Sequence, residues 1–477
     1  MSSRPCSLLA LLYSLTSVSA IQLLGSSVLG HNPQTVNHLN GESYQQDAII
    51  TFQGYQYASL WIEDASNSSI RHASLTRRSL SSSNATWDTL VFTDYNQTED
   101  DGHDTISIGI SAGDGTIHMA FDQHDNSLHY RVSEAGAASN PGNTTWSTGI
   151  FGEVLDHLPG TESLNVTAYF TPVTYPRFLS IPTSVKSSSA DLIFELRIGR
   201  SGLGDDWLYE YTPGQGWSLI GRYLEGVNNN AYINGLDFDS KGSLITTWTY
   251  RDYVNDVGQD VAVQAGPNGP ENNHDLNFAS SPDFGRTWLN TWGQPVANVT
   301  EGTPVVPASA GIVVFGIPKY GGILNQEAQV VDNQDRIHVL NRENTTGTEQ
   351  WYHYWRSTRS YWTRTPLPLD LESVNNVTNT PTVIGKRGKL VPVASSHGGS
   401  TLLAILPSNA VNSTGLSILA STDAGHFRDW EVVWEVEEGC GWEPLFDRYR
   451  LAEDGVLSLY LLNGTHVVVT DLDLEVL

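Results

Sequence analysis

Two histidines bracket one short stretch, "GHDTISIGISAGDGTIHMAFDQHD", with His103 near its start and His124 near its end. Tyr175 stands in "TYPRF", Arg197 closes the apolar run "LIFELR", and Arg251 closes "LITTWTYR" in the same relative place. Asn325 lies in "GGILNQEAQVV". A cation at the end of a buried run costs free energy unless it is paired or faces a site. Two His, one Tyr and two Arg suit one reaction, β-elimination from a uronate. The C5 proton of a uronate is weakly acidic while its carboxylate stays anionic. An Arg or protonated His on the carboxylate stabilises the enolate-like transition state. A Tyr or neutral His then takes the proton, and a neighbour protonates the leaving O4. Which of His103, His124 and Tyr175 is base and which is acid stays open at this level.

Plainer readings stand beside this one. Each His could cap a strand end, and each Arg could pair with one of many local carboxylates. Asp101, Asp104, Asp122 and Asp125 flank the His pair, so a His–carboxylate metal site is a lesser option. His118 and His129 read as ordinary strand residues. The elimination chemistry requires no cofactor, and the sequence makes no case for a structural Ca²⁺.

The hairpin explains how two distant His meet. A two-residue turn at Gly113-Asp114, with Gly at positive φ, sets Ile106 opposite Phe121, Ile108 opposite Met119 and Ile110 opposite Ile117. The apolar sets coincide, which supports the register. Continued outward, Thr105 faces Asp122 and His103 faces His124, with opposed Cβ atoms roughly 4.5–5.5 Å apart.

The hairpin is one member of a repeat. Trp87, Trp146, Trp217, Trp288, Trp362 and Trp430 recur at intervals of 59 to 74 residues. "SPDFGRTW" (281–288) is an Asp-box turn, and "STDAGHFRDW" (421–430) is a stretched version. Asp and a positive-φ Gly close such a turn, and Trp tucks beneath it. Apolar runs at 56–62, 113–121, 189–197, 240–248, 333–341, 386–394 and 453–461 complete seven units of roughly four short strands. The expected fold is all-β, a seven-bladed β-propeller with mostly four-stranded antiparallel blades, as one domain over 21–477. The runner-up is a six-bladed ring with an extra sheet. The last unit lacks an outer strand, which the segment after residue 20 can supply to close the ring. The apolar runs ending in Arg197 and Arg251 read as inner strands converging on the channel mouth. The stretches 253–272 and 300–322 read as insertions over one face.

Composition bounds the partners. Residues 1–20, "MSSRPCSLLALLYSLTSVSA", read as a secretory signal peptide, and no later run is apolar enough to span a membrane. Ten Asn-x-Ser/Thr sequons follow, from Asn67 to Asn463, which suits a secreted, extracellular glycoprotein. Only Cys440 remains beyond Cys6, so neither an internal disulfide nor a Cys-based zinc site is expected. The net charge of −27 disfavours nucleic acid and anionic membranes. An anionic polysaccharide partner then requires a local Arg cluster. A monomer is expected.

The combination of "GHD…DGTIHMAFDQHDNSLHYRVS", "TYPRF…LRIGRSG", "TWTYR", "NNHDLNFASSPDFGRTW" and "EPLFDRYR" resembles the secreted BNR-repeat propeller lyases. That group includes ulvan lyases and the fungal L-rhamnose-α-1,4-D-glucuronate lyases that act on gum arabic-type side chains. The resemblance covers essentially the whole mature chain. It implies that His103 and His124 are the two active-site His, that Tyr175 is the active-site Tyr, and that Arg197 precedes the G-x-S-G turn. It further implies that Arg251 and Asn325 contact the sugar. Extra residues at about 184–189 and the 253–272 insertion depart from the pattern. The missing Cys set departs from the zinc site of some ulvan lyases, which favours the rhamnose-glucuronate branch. The implied activity is release of L-rhamnose from arabinogalactan by β-elimination. The rivals are a non-catalytic glycan-binding propeller and, ranked low, a sialidase-like hydrolase, which would need an N-terminal Arg-Ile-Pro segment that is absent here.

Overall fold

The computed structural model describes residues 21–474 apart from 83–85, 186–188, 201–202, 227–228, 253–271, 347–349, 369–385, 395–398 and 409–412. The proposed signal peptide and nearly all of the 253–272 insertion lie outside the described residues. Seven separate antiparallel sheets succeed one another along the chain. The first begins at Ile49–Phe52, and the next five begin at Ile106–Ile110, Val173–Ser180, Asn229–Phe238, Ala328–Val331 and Lys389–Ala394. The seventh joins Leu445–Phe446, Val456–Asn463 and His466–Asp473 to the N-terminal strand Gln22–His31. That last pairing runs from Gln22 opposite Asp473 to His31 opposite His466, and it closes the ring as expected. The fold is a seven-bladed β-propeller. Closure joins the last blade to the N-terminal strand, and each blade keeps only short edge strands.

The periodic Trp side chains behave as their turns predict. In the 281–288 turn, Ser281 Oγ donates to Asp283 Oδ1 at 2.8 Å, and the Thr287 N–H donates to the same oxygen at 2.7 Å. Gly285 adopts φ +92°, and the buried Trp288 indole N–H donates to its carbonyl at 3.0 Å. In the stretched version Ser421 bonds Asp429 rather than Asp423. Trp217, Trp288 and Trp430 are buried, while Trp87, Trp146 and Trp362 are half-buried. Each fully buried indole contributes on the order of 4 kcal/mol of apolar burial.

Three expectations are corrected. The apolar runs ending in Arg197 and Arg251 are second strands, not innermost ones. The innermost strands of those blades are Val173–Ser180 and Asn229–Phe238. The second strand is covered on both faces and both edges, so it is the most apolar. Among the innermost strands, Asn229–Phe238 and Ala328–Val331 carry the buried polar residues Asn230, Asn234 and Gln329. The hairpin turn spans four residues rather than two: Ser111 N–H donates to Thr116 O, and the positive-φ glycine is Gly115. The turn stays centred between Gly113 and Asp114, so Ile106–Phe121, Ile108–Met119 and Ile110–Ile117 pair as expected. Finally, part of 300–322 builds the edge of the fourth blade. Val313–Phe315 pairs with Asn273–Ser281 there, because that blade's outer strand Thr287–Leu289 is too short to cover it.

The channel is filled by the chain itself. Segment 39–48, leading into the first blade, runs down the axis and bonds successive blades. Asp47 O accepts from Ile108 N–H and Gln46 O from Phe178 N–H, both at 2.9 Å. Gln46 Nε2 donates to Leu236 O at 3.0 Å, Ser43 Oγ to Glu327 O at 2.9 Å, and Lys389 Nζ to Ser43 Oγ at 2.7 Å. Such a buried polar segment is tolerated only because these groups find partners.

Candidate active site

All six candidate residues lie at the end of the ring where the innermost strands begin. His103 precedes Ile106–Ile110, and Asn325 precedes Ala328–Val331. Arg197 pairs with Thr174, and Arg251 with Asn230, near the starts of the third and fourth innermost strands. The repeat therefore carries residues far apart in sequence to one mouth of the channel.

The two imidazoles meet, by a different route from simple strand pairing. The ladder ends at Ile106–Phe121, followed by one further bond from Asp122 N–H to Thr105 O. Asp122 then takes φ +60°, and His124–Asn126 crosses over to pair with the innermost strand of the third blade. The rings of His103 and His124 nonetheless stack, with centroids 3.8 Å apart and planes at 23°. One carboxylate joins them: His103 Nδ1 bonds Asp101 Oδ1 and His124 Nδ1 bonds Asp101 Oδ2, each at 2.5 Å.

Tyr175 is aimed by a bulge. Thr174 pairs with Arg197 and Arg177 with Glu195, so Tyr175 and Pro176 together oppose one residue. Tyr175 takes φ +59°, costly for an aromatic residue and typical of functional positions. Its ring lies 5.6 Å from His103, and the Arg197 Cζ lies 5.0 Å from its centroid. Burial pushes the phenol well above its ordinary pKa, helped by Tyr232 and opposed by Arg197, Arg251 and Arg387. The phenol is therefore held in its protonated form.

Arg197 is 1% exposed and donates from Nη2 to Thr174 Oγ1 at 2.9 Å and to Asp125 Oδ1 at 3.2 Å. Its Nε and Nη1 are buried without a hydrogen-bond partner among the described residues. A guanidinium with unanswered donors is a ready receptor for a carboxylate. Gly204 makes room for it: a Cβ there would sit 2.7 Å from Arg197 Cγ. Arg251 donates from Nη2 to Asn325 Oδ1 at 2.8 Å and from Nε to Asn273 Oδ1 at 2.9 Å, and it lies 4.5 Å over the Tyr232 ring. Asn325 is thus bonded to a candidate Arg. Arg342 occupies the equivalent place in the fifth blade, but it is held by Glu327 at 3.0 Å.

Burial lowers the His103 pKa below 6.5, the Asp101 hydrogen bond raises it, and the neighbouring His124 and Arg197 lower it again. Burial alone would raise Asp101. The hydrogen bonds from His103 and His124 outweigh it and hold that carboxyl well below its usual range. Asp104, just behind, is pushed up to about 8 by burial and by Asp122 and Asp101.

Sequence reading missed Tyr44. It belongs to the axial segment, is buried, and donates its hydroxyl hydrogen to Gly102 O. Its ring is 6.0 Å from His103 and 4.9 Å from Tyr175. With Tyr232 it forms an aromatic floor beneath the polar groups. The segment "GESYQQD" lacks periodicity, so nothing local marks Tyr44 as buried. Asp101, Asp125 and Thr174 also acquire defined contacts here. Among the described residues, the donor atoms of Asp101, His103 and His124 lie within 4.8 Å of one another and could take a metal ion. A metal taken by Asp101 together with the two Nδ1 atoms would displace the hydrogen bonds between them.

The sequence pattern of the BNR repeat-containing family matches residues 55–368. The long isoform of the ulvan lyase of Alteromonas sp. (strain LOR) is 27% identical over 224 residues, which are 41% of this chain and 21% of that protein. The chain thus spans about a fifth of that relative's length. The crystal structure of the polysaccharide lyase Uly1 superposes with a TM-score of 0.68 at 16% identity, covering 95% of this chain and 100% of that one. A PL25 ulvan lyase bound to -[GlcA(1-4)Rha3S]- superposes with a TM-score of 0.61 at 12% identity, covering 93% and 95%. At these identities the superpositions establish the shared propeller.

Proposed function

The chain belongs to the BNR repeat-containing family, and on that premise we propose that it is a polysaccharide lyase cleaving a 1,4 linkage to a glucuronate by β-elimination. The observation that carries this reading is the meeting at one mouth of an Arg with unanswered donors, a protonated Tyr and a carboxylate-bridged His pair. The Arg197 guanidinium neutralises the uronate carboxylate, and Arg251 with Asn325 holds the neighbouring sugar. His103, whose pKa is lowered by partial desolvation and by the neighbouring His124 and Arg197, takes the C5 proton at Nε2. The C5–H electrons form the C4–C5 double bond as the C4–O4 bond breaks. Tyr175 delivers its hydroxyl proton to the departing O4. Both roles match the direction in which each group's pKa is displaced. The two cations provide local attraction for an anionic polymer within a chain of net charge −27.

The relatives' names support the substrate class, since two are called ulvan lyases and one is bound to a glucuronate–rhamnose unit. The finer proposal is release of L-rhamnose from rhamnosyl-glucuronate side chains of arabinogalactan, and it rests on the sequence resemblance. Secretion is part of the same proposal, supported by exposed sequon residues Asn67, Asn96, Asn143 and Asn463. The test is incubation with gum arabic and, separately, with ulvan, following the ultraviolet absorbance of a 4,5-unsaturated uronate and free rhamnose. Chromophore with free rhamnose from gum arabic supports the finer reading, and chromophore from ulvan alone redirects it. Saturable binding without product from either would leave a glycan-binding propeller. Reducing sugar without chromophore would mean hydrolysis.

A further inference from the structure

Asp101 makes an unusual pair of bonds. Its two oxygens accept from the Nδ1 atoms of two different, stacked imidazoles, and Oδ1 also accepts the His103 backbone N–H at 3.0 Å. A carboxylate only accepts, so each ring must carry its hydrogen on Nδ1. Both Nε2 atoms then bear the lone pair, and neither has a hydrogen-bond partner among the described residues. The loop that holds Asp101 is itself clamped: the backbone N–H groups of Val36 and Asn37 both donate to Asp100 at 2.9 Å. Besides Asp101, the charged and titratable groups around the two rings are Tyr44 on the axial segment, Tyr175 and Arg197 on the third blade, and Asp125 beside His124.

We infer that Asp101 is the positioning residue of this site, fixing both His103 and His124 as Nε2 acceptors and making the pair a one-proton store. This rests on the lyase reading above. When one ring takes the C5 proton, the trio of Asp⁻, HisH⁺ and His is neutral, so the proton is held without a net positive charge opposing Arg197. A second proton on the stacked ring would place two cations about 4 Å apart, and it is resisted.

The informative variant is Asp101→Asn. Its amide oxygen can still accept from one Nδ1–H, but its NH₂ must donate to the other ring. That ring is driven to the Nε2–H tautomer and can no longer take a proton there. The imidazole nitrogens of the resting protein are read by ¹⁵N NMR. The native protein should place His103 and His124 in the Nδ1–H form, Asp101→Asn should convert one of them, and Asp101→Glu should restore the native pattern. With glucuronate polysaccharide, kcat of Asp101→Asn should fall about 10²–10³-fold with KM within about threefold, and the acidic limb of the pH–rate profile should move. A kcat within threefold of native, or unchanged tautomers in Asp101→Asn, would overturn the inference. So would imidazole signals that shift when a chelator strips a metal from the native protein. If no uronate polymer yields unsaturated product, the lyase reading fails, and the tautomer measurement still decides the role of Asp101.

Discussion

Among the described residues two histidine pairs stack, each beside an aspartate, and they do opposite things. At the channel mouth His103 and His124 stack at 3.8 Å with side chains 35% and 27% exposed. In the fifth blade His338 and His353 lie 5.1 Å apart with planes at 12°, and both are fully buried. There His338 Nε2 bonds Asp332 at 3.1 Å and His338 Nδ1 bonds His353 Nε2 at 2.9 Å. Phe427 covers both rings, and Arg336 balances Asp332 at 2.6 Å. Three of the four ring nitrogens are spent on internal bonds, and no solvent reaches them. At the mouth a single carboxylate holds both Nδ1 atoms and leaves both Nε2 atoms outward, beside Tyr175 and Arg197. Residue type and stacking are shared. What separates a site from a core network is which nitrogen is left over and what stands next to it.

The comparison can be broken most strongly at the mouth. Tyr175→Phe removes one hydroxyl and should lower kcat about 10³-fold, equivalent to about 4 kcal/mol, with unfolding unchanged within a few degrees. An active Tyr175→Phe enzyme would strip the phenol of its role. In the fifth blade the expectation inverts. His353→Ala should cost about 3 kcal/mol of stability in urea unfolding and leave kcat near native. A catalytic defect there without a stability loss would make the two pairs alike.

The pH dependence sharpens the contrast. Burial lowers the pKa values of His338 and His353 below 6.5, against the hydrogen bond and charge of Asp332 in the case of His338. The unfolded chain therefore binds protons that the folded chain refuses. Their contribution to stability is complete above about pH 6.5 and is lost as pH falls below it. Asp104 has the opposite sign. Its folded pKa of about 8 exceeds the ordinary 3.8, so its contribution is complete below the unfolded value and is lost as pH rises toward 8. Urea midpoints of Asp104→Asn and the native protein should converge near pH 4 and separate by pH 8, with the variant more stable. Identical midpoints at pH 8 would contradict this. The smallest effect is expected at Asn325→Ala, which loosens Arg251. KM should rise about tenfold, equivalent to about 1.4 kcal/mol, with kcat kept. A fall in kcat alone would assign Asn325 to the chemical step.

Much of this was readable where pattern and packing agree. The apolar residues from Ile106 to Phe121 fix a hairpin register that a longer turn did not alter. The missing outer strand and the N-terminal segment predicted each other. Arg197 and Arg251 converge because they hold equivalent places in successive blades. What was not readable depends on departures from periodicity. The bulge at Tyr175 and the crossing of His124 to the next blade arise at positive-φ residues with no Gly to mark them. The axial segment with Tyr44 is polar like a surface loop, and it is buried only because seven blades leave a channel to fill. Inner and second strands were exchanged because an apolar run marks the second strand, while the innermost strands of the third and fourth blades are interrupted by Arg177, Asn230 and Asn234.

The central claim is that the mouth eliminates across C4–C5 of a glucuronate. It is tested most directly by mixing the protein with gum arabic and recording the ultraviolet spectrum together with free rhamnose. A rising 4,5-unsaturated uronate absorbance, matched mole for mole by rhamnose and abolished in Arg197→Lys, is expected. Rhamnose released without that absorbance, or an undiminished rate in Arg197→Lys, would contradict it.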